Sequence, residues 1–423
     1  MTINSGTADV ATASRRLRLV RPDGLLVALL IATFLTCSLG WLFKAHCTFD
    51  DGGWTASEQY TTGCYSDAMP FWGGREIAAG KLPYFEARME YPVLTGALIY
   101  LDGRITAGLF GRMASAPHFL FVVALVNTVI ALLVTWLLWS MGLARSRLWC
   151  WALAPPLILY IGHNWDILAI ALAVGAVALA RRGRLTYAAG LAALGGAAKL
   201  FPLLLLPLLG LRPLIERRIH TVVILIAAAV VAWGAVNLPA AIFARANWLE
   251  FYLFSSSRGS TAGSLWELAS QFNLLQTTIE QRNLWSAILF LAGAGAIVAT
   301  GARRHWLNLW VLFTPIVAWF LLVNKVYSPQ FDLWILPLML VTSRRLWPVA
   351  LFIVGDMLAY FAEFWMFAGM EGAWPATGQT AILVAVAVRD AALLWTIVDA
   401  VLTRAPDWVN DQPVARPVSA PQA

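Results

Sequence analysis

Apolar runs recur along the whole chain, and small clusters of arginine stand between them. That alternation leaves few folds open, because the apolar segments outnumber what one soluble core could cover. Of the 423 residues, 60% are hydrophobic and only 13% charged, so the surrounding solvent has to be lipid. The formal charge of +7 would suggest a polyanionic partner in a soluble protein. Here the basic residues mark topology instead. Arg15, Arg16, Arg18 and Arg21 precede the apolar run 25–43, which has the length of one crossing of a hydrocarbon core about 30 Å thick. The positive-inside rule puts residues 1–24 in the cytoplasm, together with Arg145/Arg147, Arg181/Arg182/Arg184, Arg212/Arg217/Arg218, Arg303/Arg304, Arg344/Arg345 and Arg404. Each interval between clusters then holds an even number of crossings. The expectation is an all-α polytopic membrane protein with about twelve transmembrane helices and both termini in the cytoplasm. Residues 25–403 form its membrane domain, and residues 404–423, rich in Pro, Ala and Val, a disordered cytoplasmic tail.

Three intervals take ordinary pairs of spans, near 219–240 with 284–301, 306–323 with 331–343, and 346–368 with 378–403. Two intervals are shorter. Between Arg147 and Arg181, and between Arg184 and Arg212, lie roughly thirty residues, too many for one crossing at about 1.5 Å per residue and too few for two. Short helical hairpins fit them; one long tilted helix in each would strand an arginine cluster outside. The tips carry His163, Asn164, Trp165 and Asp166 in the first, and Lys199 before Phe201-Pro202 in the second. Tips that stop below the outer surface make a cavity, because polar backbone at membrane depth has to be buried in protein or wetted.

The longest external segment is 44–117. Residues 67–80 (DAMPFWGGREIAAG) predict an amphipathic interfacial helix with Phe71, Trp72, Ile77 and Ala78 towards the membrane. A second apolar run, to Phe110, contains Asp102 and Arg104 and reads as re-entrant or membrane-lying. Cys47 and Cys64 share this segment on the oxidising side, where they can pair. Cys37 and Cys150 read as small apolar residues within helices.

Ionisable groups at membrane depth are the residues to examine, since each costs several kcal/mol unless paired or solvated. Asp67 opens the interfacial helix and can cap its N-terminus, face the cavity, or do both. Lys199 can snorkel to water or meet an anion. Lys325 occupies a short external turn. His163 can bridge helices, and Asp166 can pair with either His163 or Lys199. Arg258, in the serine-rich stretch SSSRGSTAGS, belongs to a mobile loop or a solvated linker.

In order, Tyr65-Ser66-Asp67, Phe71, the run AAGKLPY at 78–84 and Glu90-Tyr91-Pro92 resemble the first external loop of polyprenyl-phosphate-sugar-dependent glycosyltransferases of the GT-C superfamily. The nearest resemblance is to family GT87, which includes actinobacterial mannosyltransferases. GHNWD at 162–166, GLAALGGAAKLFP at 190–202 and NKVYSPQFDLWILP at 324–337 extend it over most of residues 25–400. What the resemblance implies is transfer of a sugar, mannose before arabinose, from a lipid monophosphate to a hydroxyl of a glycolipid or cell-envelope glycan. The expected site is the outer face of the plasma membrane, and the expected outcome is inversion. Asp67 would be the general base, and Lys199, Lys325 and His163 would hold the donor phosphate. Glu90, Tyr91, Asn164, Asp166, Arg258, Tyr327 and Gln330 would contact substrate.

Asp50 and Asp51 are adjacent carboxylates, but nothing nearby completes a metal shell, and neither a metal nor a cofactor is expected. The chain has no Walker loop and no Gly-x-Gly-x-x-Gly after a strand, which argues against nucleotide-driven chemistry and gives no reason to expect nucleic acid. A secondary transporter or lipid flippase is the rival class. Against it stand hairpins confined to the first half and a long first external loop.

Overall fold

The computed structural model describes residues 23–49, 54 and 56–410; the arginines at 15–21, Asp50, Asp51 and the tail from 411 lie outside the described residues. The chain opens with α1 (Gly24–Ala45), whose Asp23 cap accepts from the Leu26 amide at 2.8 Å. The segment after α1 contributes α2 (Ala56–Thr61) and α3 (Ala68–Gly74), followed by α4 (Val93–Phe110) and α5 (Ala116–Ser140). Next come α6 (Arg145–Ala152), α7 (Pro155–Tyr160), α8 (Ile167–Arg181), α9 (Leu185–Ala198) and α10 (Leu205–Ile215). Then follow α11 (Ile219–Phe243), α12 (Arg245–Ser257), α13 (Leu265–Gln271) and α14 (Ile279–Gly301). The chain closes with α15 (Phe313–Val323), α16 (Asp332–Thr342), α17 (Trp347–Met370), α18 (Gln379–Leu402) and α19 (Asp407–Asn410). Among the described residues the protein is all-α, and seven helices, α1, α4, α5, α11, α14, α17 and α18, are long and apolar enough to cross a membrane.

The remaining apolar helices explain how a cavity forms. With 15 residues in α8 and 14 in α9, these rods reach about 22 Å, short of a hydrocarbon core of about 30 Å. Prolines help set their breaks: Pro155 and Pro156 start α7 where α6 ends, and Pro202 enters a 3-10 turn after Lys199. One expectation changes here. The segments 306–323 and 331–343, expected to be full crossings, fold as α15 and α16 of 11 residues each, extended only by single 3-10 turns. Residues 302–308 form a turn at the start of the first segment and Ser343 is extended at the end of the second, so this pair is a third short hairpin, and hairpins are not confined to the first half.

The external segment also departs from expectation. Helix forms only over Ala68–Gly74; Gly73 and Gly74 end it, and Glu76 and Gly80 take positive φ of 58° and 68°. Phe71 and Ile77 are buried in protein rather than turned to lipid. Helix α4 is long enough to cross, and it packs on α5 and α9, with Trp165 as a further contact. Trp165 touches Tyr91 just before it (ring centroids 5.6 Å), donates to Asp102 in its middle (2.9 Å) and packs on Phe119 in α5 after it (6.2 Å). The Asp102 charge is thus turned into the protein.

Close packing relies on small residues where helices touch. A Cβ built at Gly355 of α17 would lie 2.5 Å from the Arg389 amide nitrogen and 2.6 Å from its Cα in α18. Backbone cannot yield as a side chain can, so Gly355→Ala has to separate the two helices. A loss of about 1–3 kcal/mol is expected, seen as a lower unfolding midpoint in detergent, with Ala385→Gly as the comparison on the facing helix.

Candidate active site

The tips of the three short hairpins meet on one side of the molecule and line a chamber of about 630 Å³. His163 comes from the first tip, Lys199, Leu200 and Phe201 from the second, and Asn324, Lys325, Ser328 and Gln330 from the third. Asp67, Glu90 and Tyr91, from the segment between α2 and α4, share this chamber with both lysines.

Asp67 is held by its own backbone. Its amide donates to His163 O at 2.8 Å, and Ser66 Oγ beside it donates to Gly162 O at 2.6 Å, which fastens the start of α3 to the first tip. Three residues earlier, Cys64 is disulfide-bonded to Cys47 at the end of α1. Between them Gly63 O accepts from Lys44 Nζ at 3.1 Å and from Tyr360 Oη at 2.6 Å. The Asp67 side chain makes no helix cap. Instead Tyr65 Oη donates to Oδ1 at 2.9 Å and Tyr91 Oη to Oδ2 at 3.1 Å, so both oxygens are oriented by phenols. Burial raises the Asp67 pKa above the ordinary carboxylate value, against the opposing pull of the two phenols and of Lys199.

Lys199 Nζ donates to Asp166 Oδ1 at 2.8 Å, while Trp334 Nε1 donates to Oδ2, also at 2.8 Å. Of the two partners open to Asp166, the structure selects Lys199. The ammonium also lies 5.1–5.6 Å from the ring centres of Tyr91, Phe331 and Trp334. Lys325 is buried rather than solvated, and its Nζ donates to Ser256 O at 2.9 Å and Arg258 O at 2.8 Å. Burial and the nearby Arg258 guanidinium push its pKa below the usual lysine value.

Several expected contacts change. His163 faces the chamber, but burial and the neighbouring Lys44 drive its pKa well below the usual histidine value. It is therefore neutral at pH 7 and supplies no cation. Asn164 Oδ1 accepts from the Asp166 amide at 3.0 Å, and both side chains brace the tip from outside the chamber wall. Tyr327 lies behind the wall with its hydroxyl on Asp332 at 2.5 Å. Glu90 lines the chamber but is clamped bidentately by Arg75 at 2.5 and 2.6 Å. The serine-rich stretch is neither a lid nor a loose linker: Ser256 and Ser257 end α12, Thr261 N donates to Lys325 O at 3.3 Å and Tyr327 N to Thr261 Oγ1 at 2.7 Å. Arg258 consequently projects from a fixed backbone into the chamber, and among the described residues no carboxylate forms an ion pair with it.

Sequence reasoning missed Tyr65, Glu363 and Lys44. Tyr65 opens the quoted motif without a role given to it, but Glu363 and Lys44 sit in apolar helices where only packing reveals their direction. Among the described residues the cluster of metal-ligand type, His46, Cys47 and Cys64, has its two sulfurs joined. Chemically, the chamber sets an oriented carboxylate beside a group of cations, which suits deprotonation of a neutral nucleophile near an anionic leaving group. No protein-family model matches the chain, and no curated protein matches it.

Proposed function

We propose that the chain is a membrane glycosyltransferase with a twelve-pass, GT-C-like architecture, both termini cytoplasmic and the chamber open to the outer face of the plasma membrane. It transfers a sugar, mannose in the first instance and arabinose as the alternative, from a polyprenyl-phosphate donor to a hydroxyl of a glycolipid or cell-envelope glycan. The acceptor hydroxyl gives its proton to Asp67 as its oxygen bonds the anomeric carbon. The bond from that carbon to the phosphate oxygen breaks, and its electron pair stays on the phosphate. Attack from the face opposite the leaving group inverts the centre. Lys199, Lys325 and Arg258 offset the charge that grows on the departing phosphate.

The observation that carries this reading is one chamber in which Asp67, oriented through both oxygens, shares space with three cations. The volume of about 630 Å³ lies in the range of small-molecule binding sites. The third hairpin removes one argument against a transporter. On the chamber wall, however, Phe201, Trp334 and Phe331 stack at 4.7 and 3.9 Å and belong to the main buried apolar cluster, a poor lining for the passage of a polar solute.

The direct test is purified protein in detergent or nanodiscs with labelled mannosyl- or arabinosyl-phosphate polyprenols and a membrane glycolipid extract. The expected result is a labelled glycolipid with anomeric configuration opposite to the donor's. Retention of configuration, or uptake into vesicles without product, would overturn the assignment.

A further inference from the structure

Asp67 stands between a part of the chamber that carries Lys199 and a part walled by aromatic rings. The Arg258 guanidinium lies near enough to Asp67, Tyr65 and Glu363 to act on all three. Asp67 Oδ2 is tied to Tyr91, the phenol beside Lys199. Its Oδ1 is tied to Tyr65, which belongs to a wall of rings supplied by α2 and α17. In that wall Tyr60 and Tyr65 lie 6.3 Å apart with planes inclined by 16°, Phe364 lies 5.5 Å from Tyr65, and Phe367 lies 5.5 Å from Tyr60. All four line the chamber.

Glu363 also lines this face. Its residue is only 6% exposed, and among the described residues no donor reaches its carboxylate. The neighbouring Arg389 does not neutralise it directly. That guanidinium is committed to Asp390 Oδ1 at 3.0 Å and Gly263 O at 2.9 Å, and lies 3.5 Å over the Tyr327 ring. Gly263 lies beside it, where a Cβ would come within 3.3 Å of Glu363 Oε2, so the glycine leaves the carboxylate its room. A nearly buried acceptor with two oxygens and no donor is costly unless a ligand or water supplies hydroxyls. Flat aromatic rings beside such an acceptor fit a molecule with one apolar C–H face and a rim of hydroxyls, a pyranose or cyclitol ring.

We infer that the Tyr60, Tyr65, Phe364 and Phe367 wall with Glu363 is the acceptor subsite, and that the acceptor presents a ring polyol. The Glu363 carboxylate accepts two of its hydroxyls, which turns a third towards Asp67. This inference rests on the proposed transfer reaction, which assigns the cationic face to the donor phosphate.

The experiment uses the full chain in detergent, with methyl α-mannoside and myo-inositol as ring probes, glycerol as the acyclic control and farnesyl phosphate for the cationic face. Binding is read by saturation-transfer NMR and calorimetry. Glu363→Gln is expected to weaken the ring polyols about tenfold or more, the loss of charge-assisted hydrogen bonds, with farnesyl phosphate unchanged. Tyr60→Ala on the short helix α2 should do the same and serves if Glu363→Gln does not fold. Equal polyol affinity in both variants and the parent, equal preference for glycerol, or no polyol binding to a parent that binds farnesyl phosphate would each overturn the subsite. If Asp67→Asn left transfer intact while Glu363→Gln still weakened the polyols, the base would be wrong and the subsite would stand.

Discussion

Asp67→Asn should reduce sugar transfer by about 10²–10⁴-fold while donor affinity changes little, because general-base assistance is lost and the cations remain. In energetic terms the substitution removes about 3–5 kcal/mol of transition-state stabilisation. The amide is nearly the same size, and Tyr65 and Tyr91 can still donate to its carbonyl oxygen, so the fold should survive. Both phenols now point at the carboxylate, and one of them has to turn or lose its partner at the amide nitrogen. The sign of the pH dependence follows from the same group. Only ionised Asp67 accepts the proton, and burial raises its pKa, so transfer should climb as pH rises through a value above the ordinary aspartate range. The acid limb of kcat/KM in the parent enzyme tests this, and Asp67→Asn should abolish that limb. Undiminished transfer by the variant would remove Asp67 as base.

Lys199→Met should cost donor binding roughly tenfold to a hundredfold, the worth of a charge-assisted hydrogen bond to phosphate in a partly enclosed site. The single substitution also leaves Asp166 buried with one donor, Trp334, and stranding a buried charge can itself cost about 3–5 kcal/mol. The informative comparison is therefore Lys199→Met with Asp166→Asn, which removes both charges together. If Lys199 serves the phosphate, the double variant regains stability but not farnesyl phosphate affinity. If the pair only braces the two hairpin tips, both recover. Calorimetric affinity and the thermal midpoint, measured on all three proteins, separate these outcomes.

The parts legible in the sequence follow from local quantities. Hydropathy and arginine spacing are summed along the chain, so the all-α membrane class and the shortness of the hairpins at 147–181 and 184–212 could be read directly. Asp67, Lys199 and Lys325 were legible as candidates for the same reason, since a charge in an apolar sequence stands out whatever it touches. The third hairpin was misjudged because 306–323 has the composition of a full span, whereas residues 306–308 stay in a turn and 309–312 form only a 3-10 turn.

What the tertiary structure alone decided was direction. Each helical residue turns about 100° from the last, so a sequence does not say whether Glu363 in α17 faces lipid, a neighbouring helix or the chamber. The same holds for partners far apart in the chain: Asp166 meets Lys199 and Trp334, and Lys325 meets carbonyls near residue 257, through packing that no local pattern encodes. The lipid solvent is written into the composition, whereas the charge state and aim of each polar group depend on which neighbour satisfies it.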